Sequence, residues 1–258
     1  MFQSQISRRR ALLAAAVACV TGCSSKKSET EVTPKNESEV ATEMEPDMNS
    51  VTESWRQIDD WLSANAPKIV DNLNPPATET ELRDAEESLG MQMPPEWHEL
   101  YRGHNGMNSD ANFGSLFFGM QFLTLEESIA DHKENSAPVD SWLPVRRASD
   151  AGIRTDDMHN PNWIAIANSG ETLIRVDMLP ESTGMKGQVI FTDHADDTVI
   201  LLGTSVAELI SNFANDLEAG RYFLNKEALE NGDQFLGCDP DIDVVNWSFS
   251  PRWKHLRQ

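Results

Sequence analysis

Residues 163–177 read WIAIANSGETLIRVD and decide the fold, because two apolar runs rich in β-branched residues flank a short polar turn. Residues 163–167 and 172–177 are therefore predicted to form a hairpin, since glycine and asparagine favour the intervening turn. Two further runs, GQVIF at 187–191 and TVILL at 198–202, predict a second hairpin. Hairpins pair their strands antiparallel, so an antiparallel sheet is expected.

Helix signals lie on both sides of these strands. Tryptophan, isoleucine and leucine recur at helical spacing near residue 55, and two TxxE patterns match the capping box that satisfies the free amides of a helix start. Helices, then hairpins, then a helix predict an α+β fold, with one antiparallel sheet packed against N-terminal and C-terminal helices. The predicted helix starts lie near Trp55, Thr78, Pro94, Thr124 and Ser205.

The start of the chain has the features of an export signal. Arg8 and Arg9 lie in a positive segment, the apolar residues 11–20 follow, and the motif VTGC ends at Cys23. This order resembles the signal peptide and lipobox of bacterial lipoproteins, which implies cleavage between Gly22 and Cys23 and lipidation of the cysteine. The arginine pair also resembles the twin-arginine export motif, with ordinary secretion as an equal alternative. A lipid-anchored protein at a cell membrane or outer membrane, its body outside the cytoplasm, is expected.

Four segments follow from these features. Residues 1–22 are the predicted signal peptide. Residues 23–52 are a predicted lipidated and disordered tether, since a polar stretch without aromatic residues cannot bury enough apolar surface to offset its ordering entropy. Residues 53–222 are predicted to form one α+β domain. Residues 223–258 are a C-terminal extension, whose aromatic side chains are predicted to pack on the domain.

The formal net charge of the chain is −21 at pH 7. Such an acidic surface repels nucleic-acid phosphates, so no nucleic acid is expected as a partner, and it attracts basic proteins. Cys238 would be the one cysteine left unmodified, because Cys19 leaves with the signal peptide and Cys23 receives lipid. No internal disulfide is therefore predicted, and stability is expected to come from the core.

Several short motifs follow one another at characteristic spacing along the chain. They are LNPPATE at 73–79, HNG at 104–106, WIAIA at 163–167, VD at 176–177 and GQVI at 187–190. In the order and spacing of these motifs, roughly residues 55–222 resemble the SUKH superfamily, which includes fungal cell-wall assembly regulators of the Smi/Knr type and bacterial toxin-immunity proteins. The polar segment 145–160 is longer than the pattern of the superfamily.

The resemblance implies a module that binds another protein. The residues at which it implies partner contact are His104, Asn105, Trp163, Asp177 and Gln188. The partner is expected to be a basic toxin or a component of the cell envelope, alongside the membrane contacted through the lipid. The main hypothesis is a membrane-anchored immunity protein that neutralises a toxin. The alternative is a scaffold or regulator in cell-envelope or cell-wall assembly.

No complete catalytic motif accompanies these residues. His98 and Glu99 resemble the start of a zinc-protease helix, but Arg102 occupies the position of the second ligand and would repel the metal. A hydrolase that uses His104 and Asp177 is a third hypothesis, resting on scattered residues alone. The sequence therefore predicts a protein that is not an enzyme, with no catalytic residue, metal, cofactor or small-molecule substrate.

Overall fold

A six-stranded sheet forms the centre of the domain. The structure is a computed structural model that describes residues 48–108, 115–136 and 143–257. The predicted export motif at Arg8 and Arg9, the cleavage site at Gly22 and the lipidation site at Cys23 lie outside the described residues. The strands are β1 (Gln121–Phe122), β2 (Arg147–Ala148), β3 (Trp163–Ser169), β4 (Thr172–Asp177), β5 (Gln188–Asp193) and β6 (Thr198–Gly203).

The strand order is β1-β3-β4-β5-β6-β2, and every pair is antiparallel except β2 with β6. Both predicted hairpins are present, and Gly170 has a φ of 66° in the β3–β4 turn, where an L side chain would be strained. The predicted α+β fold is therefore confirmed. The parallel edge strand β2 was not predicted, because two residues are too few to show a strand pattern in sequence.

Seven α-helices surround the sheet within the described part of the chain. The two predicted capping boxes are formed, with Thr78 accepting from the Glu81 amide and Thr124 from the Glu127 amide. The first helix begins at Met48, inside the segment predicted as a tether, and buries Val51 completely. The helices are α1 (Met48–Asn65), α2 (Pro67–Asn72), α3 (Glu79–Leu89), α4 (Pro95–Gly103), α5 (Leu125–Asn135), α6 (Val206–Glu218) and α7 (Lys226–Glu230).

Both faces of the sheet are covered, which explains why its strands are apolar almost throughout. One face contributes residues such as Ile164, Val176 and Phe191 to the main core, into which α1, α4 and α6 pack. The opposite face, called the second face below, forms a smaller core in which Trp163, Ile190 and Val199 contact Val145, Ile153 and Met158. The long segment at 145–160 is therefore a cover for the second face.

The C-terminal residues pack closely on the rest of the domain. Strands β7 (Tyr222–Leu224) and β8 (Leu236–Cys238) form a separate two-stranded sheet, so the predicted domain boundary after residue 222 falls within a strand. Trp247 is buried and its indole nitrogen donates to the Asp193 carboxylate at 2.8 Å, whereas Phe249 is 73% exposed. The aromatic residues of this region thus differ sharply in exposure.

Candidate functional site

Three of the predicted contact residues form a row across neighbouring strands. Trp163 pairs with Asp177, and Asp177 pairs with Gln188, at the end of the sheet where β4 passes into β5. All three side chains are buried; Asp177 and Trp163 are 0% exposed. A partner at the surface would therefore contact the residues that pack around this row. Direct contact between a partner and the row itself, which the resemblance implies, stays a prediction.

Asp177 and Gln188 hold the loop that joins β4 to β5, called the 178–187 loop below. The Asp177 carboxylate accepts from the Leu179 amide at 3.1 Å and from the Gln188 side-chain amide at 2.9 Å. The Gln188 side-chain oxygen accepts from the Met185 amide at 3.1 Å. Burial raises the pKa of Asp177, whereas the amide donors from Leu179 and Gln188 act against that rise. Both ends of the loop are thus fixed by buried side chains.

Gly152 fixes the middle of the same loop. Its carbonyl accepts from the Glu181 amide at 2.9 Å and from the Gln188 side chain at 3.2 Å. A Cβ added at Gly152 would lie 2.6 Å from the Gly184 Cα, a distance at which backbone must move. Glycine at both positions therefore allows the segment covering the second face to contact the 178–187 loop directly.

Two large apolar side chains of the 178–187 loop face solvent. Leu179 is 47% exposed and Met185 is 58% exposed. The Arg154 side chain donates to the Leu179 carbonyl at 2.8 Å, which adds a further tie at the base of the loop. Exposed apolar residues on a backbone held by buried polar groups are typical of a surface prepared for contact with another molecule.

His104 and Asn105 lie elsewhere, after α4, where they join helices. The His104 ring contacts the Asp59 carboxylate at 3.0 Å and the Asn74 carbonyl at 3.1 Å. Burial acts to lower the pKa of His104, but the hydrogen bond and charge of Asp59 outweigh it and the pKa is raised. The Asn105 side chain accepts from the Leu125 amide at 3.0 Å, at the start of α5.

His104 and Asn105 thus contact α1, Asn74 and the start of α5, whereas the hydrogen bonds of the Asp177 carboxylate come from Leu179 and Gln188. A hydrolase built on His104 and Asp177 together therefore finds no support in their placement. Asn105 also borders the open space between α3 and α5. Within the described part of the chain, no three histidine, cysteine, aspartate or glutamate side chains are grouped so as to hold a metal ion.

Sequence reasoning missed a buried charged cluster on the second face. Arg175 in β4 is 2% exposed, forms an ion pair with Asp131 of α5 at 3.1 Å, and donates to the Trp163 carbonyl at 3.1 Å. His194 lies in contact with His159, their ring centroids 5.6 Å apart. One feature of the sequence could have indicated this cluster: Arg175 lies within an otherwise apolar strand pattern, and a buried arginine requires a partner of opposite charge.

The burial of His194 predicts that the domain loses stability in mild acid. Burial lowers the pKa of His194 to about 4, and the charges of Arg175 and His159 act in the same direction. Its stabilising contribution is complete above the unfolded pKa of about 6.5 and is lost as the pH falls towards about 4. With allowance for solvent screening, we expect the wild type to lose about 1 kcal/mol through this group between about pH 7.5 and about pH 5.

Urea unfolding at the two pH values tests this expectation. His194→Gln removes the titrating ring and should lose less stability on acidification than the wild type. His255→Gln is the matched control, because His255 is exposed and lies in the last 3₁₀ helix (Lys254–Arg257). An equal pH dependence in the wild type and both variants would contradict the role assigned to His194.

Comparison with known proteins yields fungal relatives. The chain is 24% identical over 238 residues to the cell wall assembly regulator SMI1 of Saccharomyces cerevisiae, covering 78% of this chain and 46% of that protein. It is 26% identical over 193 residues to the cell wall biosynthesis/cell cycle regulator smi1 of Schizosaccharomyces pombe, covering 69% and 38%. A glucan synthesis regulatory protein of Neurospora crassa is 23% identical over 221 residues, with 72% and 42% covered. The chain spans less than half the length of these relatives.

These names correct the predicted location. The export and lipobox motifs predicted a lipid-anchored body outside the cytoplasm of a bacterium, at a cell membrane or outer membrane. The relatives are instead fungal regulators of cell-wall assembly and glucan synthesis, so that prediction is wrong. Among the helices that the structure describes, none has both the length and the apolar character required to cross a membrane.

A family model described as SMI1 / KNR4 family (SUKH-1) matches residues 76–212, just over half of the chain. The matched range begins shortly before α3, includes all six strands of the main sheet and ends within α6. It also includes His104, Asn105 and the row formed by Trp163, Asp177 and Gln188. The resemblance inferred from the short motifs is thereby confirmed, and the chain belongs to the SMI1/KNR4 family (SUKH-1).

Proposed function

We propose that the chain is a non-catalytic, protein-binding regulator of cell-wall assembly, and that the 178–187 loop is a contact surface for its protein partner. The names of the fungal relatives support the regulatory role. The single observation that carries the contact surface is the exposed pair Leu179 and Met185, on a loop whose ends are fixed by Asp177 and Gln188.

A fixed loop favours binding for a physical reason. Ordering a flexible segment on association costs free energy, and a backbone that is already held by buried hydrogen bonds avoids much of that cost. Leu179 and Met185 then provide apolar area to be removed from water, at about 25 cal/mol per Å². Met185 is also unbranched, which lets it adapt its shape to the partner.

Toxin neutralisation, the first hypothesis from the sequence, is the less supported function. The relatives bear the names of regulators of wall assembly and glucan synthesis, which favours the scaffold or regulator alternative. The net charge of −21 favours a basic region on the partner in either case, because electrostatic attraction accelerates association.

Complementation tests the proposal. In the cell that carries this chain, deletion should alter wall glucan content and raise sensitivity to wall-binding dyes. The wild-type gene should restore both properties, and Leu179→Ser/Met185→Ser should restore neither. The double variant should fold normally, since substitutions at exposed positions usually change stability by less than about 0.5 kcal/mol.

Phe249→Ser is the matched control, because Phe249 is also a large exposed apolar residue but lies in the C-terminal region. It should complement as well as the wild type. Full complementation by the double loop variant would contradict the proposal that the 178–187 loop is a contact surface. If the deletion strain has a normal wall but becomes sensitive to neighbouring cells, the regulatory role is contradicted and the immunity hypothesis is favoured.

A further inference from the structure

An open groove of about 580 Å³ lies between α3 and α5. The inner face of α5, which includes Ser128 and His132, is buried against the domain. The adjacent face of α5, with Leu125, Ile129 and Ala130, lines the groove. Ala85 lines it from α3, so small side chains on both helices leave the space unfilled.

The space continues around α5. A second depression of about 390 Å³ shares Thr124, Glu126 and Ala130 with the groove and is also bordered by Met107 and Glu127. The two depressions therefore form one surface that passes over the first turns of α5. We call this surface the α3–α5 groove. Two adjoining open depressions with apolar side chains in their lining suit an elongated segment of polypeptide better than a compact small molecule.

Carboxylates dominate the borders of the α3–α5 groove. They come from Glu81, Asp84, Glu126 and Glu127, against a single lysine, Lys133, among the residues that line the two depressions. Hydrogen bonds from the Thr78 backbone and hydroxyl lower the pKa of Glu81, so this carboxylate stays ionised at neutral pH. Asp84 and Glu126 are both exposed. The Asp84 carboxylate also forms an exposed ion pair with Arg83 at 2.8 Å, so Glu126 contributes the less neutralised of the two charges.

We propose that the α3–α5 groove binds a lysine- or arginine-rich segment of a partner protein. The long side chains of such a segment match both features of the groove. Their apolar stems would cover Ile129 and Ala130, while their charged ends reach the carboxylates of Asp84 and Glu126. This surface is separate from the 178–187 loop and does not depend on the regulatory role proposed above.

Fluorescence anisotropy with the purified full chain provides the test. The probe is a labelled peptide of about ten residues that alternates lysine with alanine, at low ionic strength where charge attraction is least screened. Asp84→Lys/Glu126→Lys should weaken binding at least about tenfold, because attraction becomes repulsion. Ala130→Phe should weaken it at least about fivefold without any change of charge, because Ala130 borders both depressions and the larger ring would occupy space that the peptide needs.

Glu227→Lys/Glu230→Lys on α7 is the matched control. It changes the net charge by the same amount, and both residues are exposed outside the groove. It should weaken binding by less than about threefold, the part due to overall charge. Equal losses in the two lysine pairs, or unchanged binding by Ala130→Phe, would overturn the proposal. Self-association of the chain that the groove substitutions abolish would assign the groove to a second copy and would also overturn it.

Discussion

Replacement of Gly106 by alanine is expected to destabilise the domain by about 2–4 kcal/mol. Gly106 has a φ of 71°, where an L residue costs about 1 kcal/mol relative to glycine. A Cβ there would also lie 2.4 Å from the Thr124 nitrogen and 2.5 Å from the Leu123 carbonyl carbon. Overpacking of this kind adds about 1–3 kcal/mol, since the obstacle is backbone.

The neighbouring backbone has little room to yield. The Leu123 amide donates to the Ile166 carbonyl in the sheet at 2.9 Å, and the Leu125 amide donates to the Asn105 side chain at 3.0 Å. A shift of the residues beside Gly106 would therefore break contacts to β3 and at the start of α5. The strain of the substituted turn would stay in the folded state.

Gly90→Ala separates the two contributions. Gly90 has a φ of 70°, but a Cβ at Gly90 would meet nothing within 4 Å. It should cost only about 1 kcal/mol, the conformational part. Denaturant unfolding of both variants measures the difference in the free energy of unfolding. Similar losses at Gly90 and Gly106 would show that the close approach of Gly106 to Leu123 and Thr124 does not contribute to the cost.

The second large effect is expected at the buried ion pair. Asp131→Ala should destabilise the domain by about 3–5 kcal/mol, because it leaves the Arg175 guanidinium buried without its counter-charge. Arg175 is 2% exposed, and its contacts to Asp131 are 3.1 Å and 3.3 Å long. Burial lowers the pKa of Arg175 and raises that of Asp131, so both charges are costly to keep in this position.

The double variant Arg175→Met/Asp131→Ala should be more stable than Asp131→Ala alone. Methionine occupies much of the arginine volume without a charge to desolvate, and apolar replacements of buried pairs are often neutral or stabilising. Asp60→Ala is the control for an exposed pair, since Asp60 contacts Arg56 at 2.9 Å with its side chain 70% exposed. It should cost less than about 1 kcal/mol. Urea unfolding of the three variants would contradict the assignment if Asp131→Ala and Asp60→Ala had equal effects.

The parts of the fold that could be predicted from sequence are those specified by neighbouring residues. The two hairpins and the capping boxes at Thr78 and Thr124 depend on contacts within a few residues, and all are present. The early start of α1 was missed, because its first turns are polar apart from Met48 and Val51, and the burial of Val51 is decided by the distant core.

The candidate site was predictable only in part, for a similar reason. The motifs singled out Asp177 and Gln188, but their burial depends on Gly152 and on the cover of the second face, which no local pattern specifies. Leu179 and Met185 belong to no motif, and the sequence alone does not distinguish an exposed apolar residue from a buried one. The α3–α5 groove lies between helices that are separated by more than thirty residues of chain, so sequence spacing does not reveal it.

The two short outer strands of the main sheet restrict how any partner can engage this domain. Beyond β1, the outward carbonyls of β3 are occupied: Ala165 accepts from the Ser128 hydroxyl and Trp163 from Arg175. At the opposite border, the Leu201 amide donates to the Ser149 hydroxyl. Within the described residues, an extended peptide or another copy of the chain therefore meets an outer strand of only two residues at each border of the main sheet, which favours recognition through side chains.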